Sequence, residues 1–347
     1  MWTTPTIPAP SSIARDAAAA RQAQLTKPAG ALGRLEALSL QIAAIQDRAE
    51  PRCETARVLV CAGDHGVADR GVSAFPKAVT AQMCLNFLAG GAAVNVLARQ
   101  AGATVEVLDV GVDADLPSHP NLIAAKIACG TRDFTVGPAM TADECARALA
   151  AGCERARVAA EAGHEVLIIG EMGIANTTSA AALMGAYLGL SAAICVGRGT
   201  GVDDAGLARK RAVIETGLTF HHALSDPLAI LAALGGLEIS AMAGAMIGGA
   251  AHRRVVVVDG FISTAAALAA LRLAPAIAPY LVFSHCGSET GHRRLLSRLG
   301  VDPLLALDLR LGEGTGGVLA LHLLRAACRT LGEMATFASA GVSEQPC

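Results

Sequence analysis

Six short stretches of the chain place acids, histidines or hydroxyls beside glycines, each after an apolar run. RLGEGTGG (310–317) is the last. It sets Glu313 between Gly312 and Gly314, with no counter-charge beside it in sequence. Glycine lets backbone approach a ligand, and apolar flanks raise the pKa of a carboxylate and make it a better base. Proton abstraction is the chemistry expected of Glu313. GDHGVADRG (63–71) brings Asp64 and His65, which suit metal ligation, acid–base work, or a turn whose histidine orients a ligand. A hydrolytic metal site needs three or more converging ligands. Asp259 and His285 could add to that pair, but no H-x-x-x-H or similar spacing supports them, so no metal is expected.

GEMGIANTTSAA (170–181) follows an apolar run and opens a helix-like segment. Asn176, Thr177 and Thr178 supply caps and hydroxyls, and a helix N-terminus favours an anion such as phosphate; an ordinary capped helix fits as well. GRGTGVDD (197–204) is a second glycine-rich loop, with Lys210 and Arg211 one or two turns further on. Neither G-x-x-x-x-G-K-[ST] nor a G-x-G-x-x-G opening the first βα unit is present, which weighs against P-loop and dinucleotide sites. VVVVDGFIST (255–264) has the strand and hydroxyl-rich loop of enzymes that use phosphoribosyl pyrophosphate, but Gly260 replaces the second acid. Pyrophosphate is thereby disfavoured as a leaving group; a phosphoribosyl group with another leaving group stays open.

The elements that must position these residues follow one grammar. Short apolar, β-branched runs at 56–63, 104–112, 165–172, 253–259, 280–284 and 304–311 end in the polar or glycine motifs. Ala/Leu-rich helical segments such as 80–101, 141–162 and 205–220 lie between them. This alternation predicts an α/β fold: a mainly parallel sheet covered by helices on both faces. Ligands of such sheets bind beyond the carboxyl ends of the strands, where all six motifs fall. Residues 1–50 and 318–347 lack this grammar and are expected to form a small helical subdomain beside a catalytic domain of 51–317.

Composition bounds the rest. In 347 residues, 53% are hydrophobic and 17% charged, ample for a large core, and the net charge of −2 without a basic tract excludes a nucleic-acid partner. Ten cysteines with no C-x-x-C pair fit a reducing cytoplasm. The first residues show no basic stretch followed by an apolar one, so no signal peptide is expected. The apolar stretch 227–251 carries Glu238 and much Gly and Ala, and reads as a buried helix or helix pair, not a membrane span.

Several motifs together resemble one family. KPAGALGRLE, GDHGVADRGVSAFPKAVTAQM, GEMGIANTTSAAAL, GRGTGVDDAGLARK, GGLEISAMAGAM, VDGFISTAAALAA and RLGEGTGG occur in order over residues 27–317. They are similar to those of nicotinate-nucleotide:dimethylbenzimidazole phosphoribosyltransferases, enzymes of cobalamin lower-ligand assembly. The resemblance implies a three-layer Rossmann-like large domain, a small helical domain from both chain ends, a homodimer and no cofactor. Glu313 falls on the general base of the family's R-L-G-E-G motif. The benzimidazole pocket would include Phe75, Met83, Met172 and Leu311. Phosphoribosyl and nicotinate would lie against Glu171, Gly173, Asn176, Thr177, Gly199, Thr200, Gly201, Lys210 and Ser288. Two departures stand out: Ala31 replaces a serine, and Gly287 takes the place where members commonly carry a serine, with Ser288 following it. The implied reaction moves phosphoribosyl from nicotinate mononucleotide to 5,6-dimethylbenzimidazole. A benzimidazole- or nucleotide-binding sensor and a nucleotide hydrolase are the rival functions.

Overall fold

The computed structural model describes residues 2–199 and 201–343. Six strands form one sheet: β1 (Ala56–Gly63), β2 (Thr104–Gly111), β3 (Leu122–Ala124), β4 (Val166–Met172), β5 (Val255–Val258) and β6 (Leu281–Phe283). All pair in parallel, in the order β3-β2-β1-β4-β5-β6. This is the doubly wound order, whose direction reverses between β1 and β4, where a crevice opens at the strand ends.

The helices before β4 are α1 (Ser12–Gln24), α2 (Arg34–Gln46), α3 (Ala78–Leu88), α4 (Ala93–Ala101) and α5 (Ala142–Glu161). Between β4 and β5 come α6 (Asn176–Leu188), α7 (Ala192–Cys195), α8 (Asp204–Phe220), α9 (Pro227–Leu234) and α10 (Leu237–Ala251). The last are α11 (Phe261–Leu273), α12 (Thr290–Leu299), α13 (Thr315–Glu333) and α14 (Phe337–Ala340).

Strand alternation shows why the runs are apolar throughout. Leu167 and Val256 meet α10 at Gly249, whereas Ile168 and Val257 meet α13 at Gly317, so consecutive residues face opposite helical layers. Small residues let the layers close. A methyl group at Gly152 of α5 would collide with the Ala241 carbonyl of α10, and one at Gly244 of α10 with the Leu149 carbonyl of α5. The stretch 227–251 is thus a helix pair, α9 and α10, broken at Gly235 and Gly236, with residues 237–250 buried.

The apolar stretch 78–101 has the length and composition of a membrane-crossing helix. It is instead α3 and α4, of 11 and 9 residues, joined by a turn with Gly90 at φ 75°. Neither reaches the roughly 20 residues a bilayer requires.

Two expectations are corrected. The run 304–311 is not a strand: His285 and Leu305 make an isolated bridge, and Asp308 at φ 52° turns the chain away from a ladder. The sixth strand is β3, three residues long, beside β2. Near the N-terminus, α1 and α2 pack with the C-terminal half of α13, where Ala18, Leu25, Ala43 and Leu331 form a separate buried cluster. Helix α13 runs unbroken across residue 318.

Candidate active site

Beyond the carboxyl ends of β4, β5 and β6 lies a cavity of about 310 Å³. It is walled by Phe75, Met83, Met172, Ile262 and Leu311, with Glu171 and Glu313 among its polar groups. Gly173, Asn176, Thr177 and Gly199 line it too. Sequence-predicted residues from four distant segments are therefore brought together. Gly201 and Ser288 instead line an adjoining groove of about 840 Å³, which shares Gly199 with the cavity. Lys210 stands behind the wall and reaches it through Thr177, its Nζ donating to Oγ1 at 2.6 Å. Thr200 lies outside the described residues.

Glu313 sits in an environment unlike that of a surface acid. It is 5% exposed, and its Oε2 is buried without a hydrogen-bond partner. Burial pushes its carboxyl up to about 7, partly offset by the Val94 amide in the first turn of α4. The acid is held in a left-handed conformation, φ 65°, between Gly312 at 87° and Gly314 at 94°.

The glycines around it are fixed by close packing. A methyl group at Gly312 would strike Glu171 Oε1, at Gly314 Val58, at Gly316 the His285 ring, and at Gly317 Ile168. The segment 312–317 is packed directly on β1, β4 and the end of β6.

Glu171, next to last in β4, is buried, with Asn176 Nδ2 donating to its Oε2. Burial, with Glu238 and Asp259 nearby, raises it to about 8 against the opposing Asn176 bond. Lys210, 1% exposed, is lowered to about 8 by burial. His285 and His292, both on the cavity wall, are pushed down by burial to about 4 and about 3, so both are neutral near pH 7.

Of the other chemistry-bearing residues, His65 is committed to Glu238 at 2.7 Å and to Ser179 at 3.0 Å, buried behind the cavity. Asp64 Oδ2 accepts the Asp113 amide at 2.8 Å. Among the described residues no group of three or more His, Cys, Asp or Glu is arranged to hold a metal. Sequence reasoning missed Arg310 and Glu289, which line both the cavity and the groove, and His292. Arg310 stood in plain view, three residues before Glu313; Glu289 and His292 sit in a helix start with no distinguishing spacing.

The family profile described as Phosphoribosyltransferase matches residues 7–342. A nicotinate-nucleotide–dimethylbenzimidazole phosphoribosyltransferase of Chloroflexus aggregans is 56% identical over 96% of this chain and 94% of its own. The chain belongs to this phosphoribosyltransferase family. Another member, from Cupriavidus necator, is 57% identical over 92% of both chains. The crystal structure of CobT from Thermus thermophilus superposes with a TM-score of 0.93 at 50% identity, covering 96% of this chain and all of that one. The doubly wound sheet is thus the architecture of a phosphoribosyltransferase of this family.

Proposed function

We propose that the chain transfers phosphoribosyl from nicotinate mononucleotide to 5,6-dimethylbenzimidazole, releasing nicotinate and forming α-ribazole 5′-phosphate for cobalamin assembly. Membership of the family supports the reaction, and one structural observation carries the mechanism: the unpartnered, buried Glu313 Oε2 in an apolar-walled cavity. Nicotinate leaves from a cationic ring nitrogen, so it departs readily without a metal. The benzimidazole nitrogen attacks C1′ from the opposite face, inverting β to α. Positive charge then spreads over the benzimidazole and acidifies its other N–H. Glu313 takes that proton and, as a carboxylate, stabilises the cationic ring.

Phe75, Met83, Met172 and Leu311 form the apolar walls that suit the ring and exclude water from C1′. Thr177, with Lys210 behind it, the loop at 173–176, and the glycines Gly199 and Gly201 suit the phosphoribosyl group. Ser288 joins them only if the phosphate extends into the neighbouring groove. Much of the remaining rate comes from holding the reactants in line.

We also infer a homodimer. Ala78, Gln82, Leu85 and Ala89 form an exposed, mainly apolar face on α3, with Val96 exposed on α4. A reducing cytoplasm is the compartment inferred from the nine described cysteines, all free thiols. The helices of 1–50 and 318–347 are read as a small unit beside the 51–317 domain.

The deciding assay supplies nicotinate mononucleotide with and without dimethylbenzimidazole and EDTA, to wild type and Glu313→Gln. Acceptor-dependent, EDTA-resistant α-ribazole phosphate that falls by about 10²–10⁴-fold in the variant is expected. Nicotinate released equally without acceptor would replace the transferase by a hydrolase. Tight binding without turnover would replace it by a sensor.

A further inference from the structure

The strand end at 255–260 carries an acid that the cavity does not use. Asp259 is 1% exposed and does not line the cavity, although its neighbours Gly260 and Phe261 do. In place of a ligand, its carboxylate holds backbone. Oδ2 accepts the Gly314 amide at 3.0 Å, and Oδ1 accepts the Gly317 amide at 2.9 Å. Both donors belong to the start of α13, whose N-cap residue, Gly314, has no side chain to satisfy them. An acid just past the end of β5, 55 residues earlier in the chain, thus does the work of a capping residue and faces the positive end of the helix.

What this cap fixes is the residue just before it. Glu313 stands at φ 65° in a run of three left-handed residues, a conformation unfavourable for any residue with a Cβ and kept only where the surroundings hold both ends. One end is held by the Glu313 amide donating to Glu171 Oε1 at 3.5 Å. The other is held by Asp259. Asp259 is itself anchored: the Ser284 hydroxyl donates to its carbonyl at 3.1 Å, and His285 Nδ1 lies 3.8 Å from Oδ1. Gly316 leaves the space that the His285 ring fills.

We propose that Asp259 is the positioning residue for Glu313, clamping the start of α13 so that the Glu313 carboxylate is presented to the acceptor ring in its strained backbone geometry. The inference rests on Glu313 being the base. It explains why this strand keeps a single acid: the carboxylate serves the loop that carries the base and does not bind ribose.

The test is a double-mutant cycle on the purified protein with nicotinate mononucleotide and dimethylbenzimidazole. Asp259→Asn keeps the shape but sets an amide NH₂ against one of the two backbone donors. Its kcat is expected to fall by about 10–100-fold, the scale of a misplacement near 1 Å, with both KM values within about twofold of wild type. Combined with Glu313→Gln, the same change should cost no more than about threefold further, because the group it positions is gone. A full additional loss in that background, or an unchanged kcat in the single variant, overturns the proposal. If Asp259→Asn does not fold, as judged by thermal unfolding, Ser284→Ala probes the anchor. A kcat loss of about 3–10-fold that vanishes with Glu313→Gln supports the clamp, and an unchanged kcat overturns it. If Glu313→Gln itself turns over like wild type, the base assignment falls and the proposal with it. If Glu313→Gln is crippled while Asp259→Asn is not, only the positioning role is lost.

Discussion

The amide of Glu313 points at the carboxylate of Glu171, 142 residues earlier in the chain, with 3.5 Å between its nitrogen and Oε1. Two acids that repel each other when ionised are thus tied through backbone, in a site where burial holds their carboxyls at about 7 and about 8. That arrangement has measurable consequences.

The pH profile of kcat/KM should carry an acid limb with its midpoint near 7. The proposed base accepts a proton only when Glu313 is deprotonated, and burial has raised its carboxyl to about 7, so the rate is expected to fall as pH drops through that value. A limb at pH 4–5, the range of a solvated glutamate, would contradict the buried base.

The Glu313→Gln variant should be more stable than wild type at alkaline pH. A carboxyl raised in the fold stabilises it fully below the unfolded value near 4.5 and loses that contribution as pH rises through about 7. The advantage of the variant should therefore grow from about pH 5 to about pH 8.5, to on the order of 1–3 kcal/mol, read as a Tm gap of a few degrees. A gap that is constant across that range would mean the carboxylate is not desolvated.

Lys210→Met should raise the KM for nicotinate mononucleotide by about 10–100-fold, the scale of a lost charged hydrogen bond, and leave the KM for dimethylbenzimidazole alone. Its Nζ donates to Thr177 Oγ1 at 2.6 Å, and Thr177 lines the cavity. Equal effects on both substrates would place the lysine in general packing.

Leu85→Glu and Val96→Glu should convert a dimer into monomers by light scattering. Both side chains are about half exposed, at 44% on α3 and 52% on α4. An unchanged mass would move the interface elsewhere.

Much of this was legible from the chain because strand ends and glycines are local signals. The β-branched runs of β1, β2, β4, β5 and β6 announce a sheet buried on both faces, and the motifs after β4, β5 and β6 line the cavity, whereas Asp64, His65 and Asp109 at the ends of β1 and β2 do not. β3 was not legible: three residues in a polar connection carry no periodicity. The run 304–311 misled because apolar residues can pack beside a sheet without joining it. Its backbone donates singly to Phe283 and Ser284 and then turns at Asp308. At the site, Glu313 is placed by its motif, whereas Phe75, Met83, Met172 and Leu311 are placed only by the family resemblance. The partnership of His65 with Glu238, 173 residues away, could not, because it depends on how α10 meets the end of β1.

The packing of residues 312–317 has a genetic corollary. Gly312, Gly314, Gly316 and Gly317 are each confined by a different neighbour: Glu171, Val58, His285 and Ile168 in turn. A strain selected for restored activity after a Gly316→Ala lesion should acquire its compensating change at His285, and one starting from Gly317→Ala at Ile168. Suppressors would thus be allele-specific and scattered across the sheet, and no single global stabiliser would rescue them all.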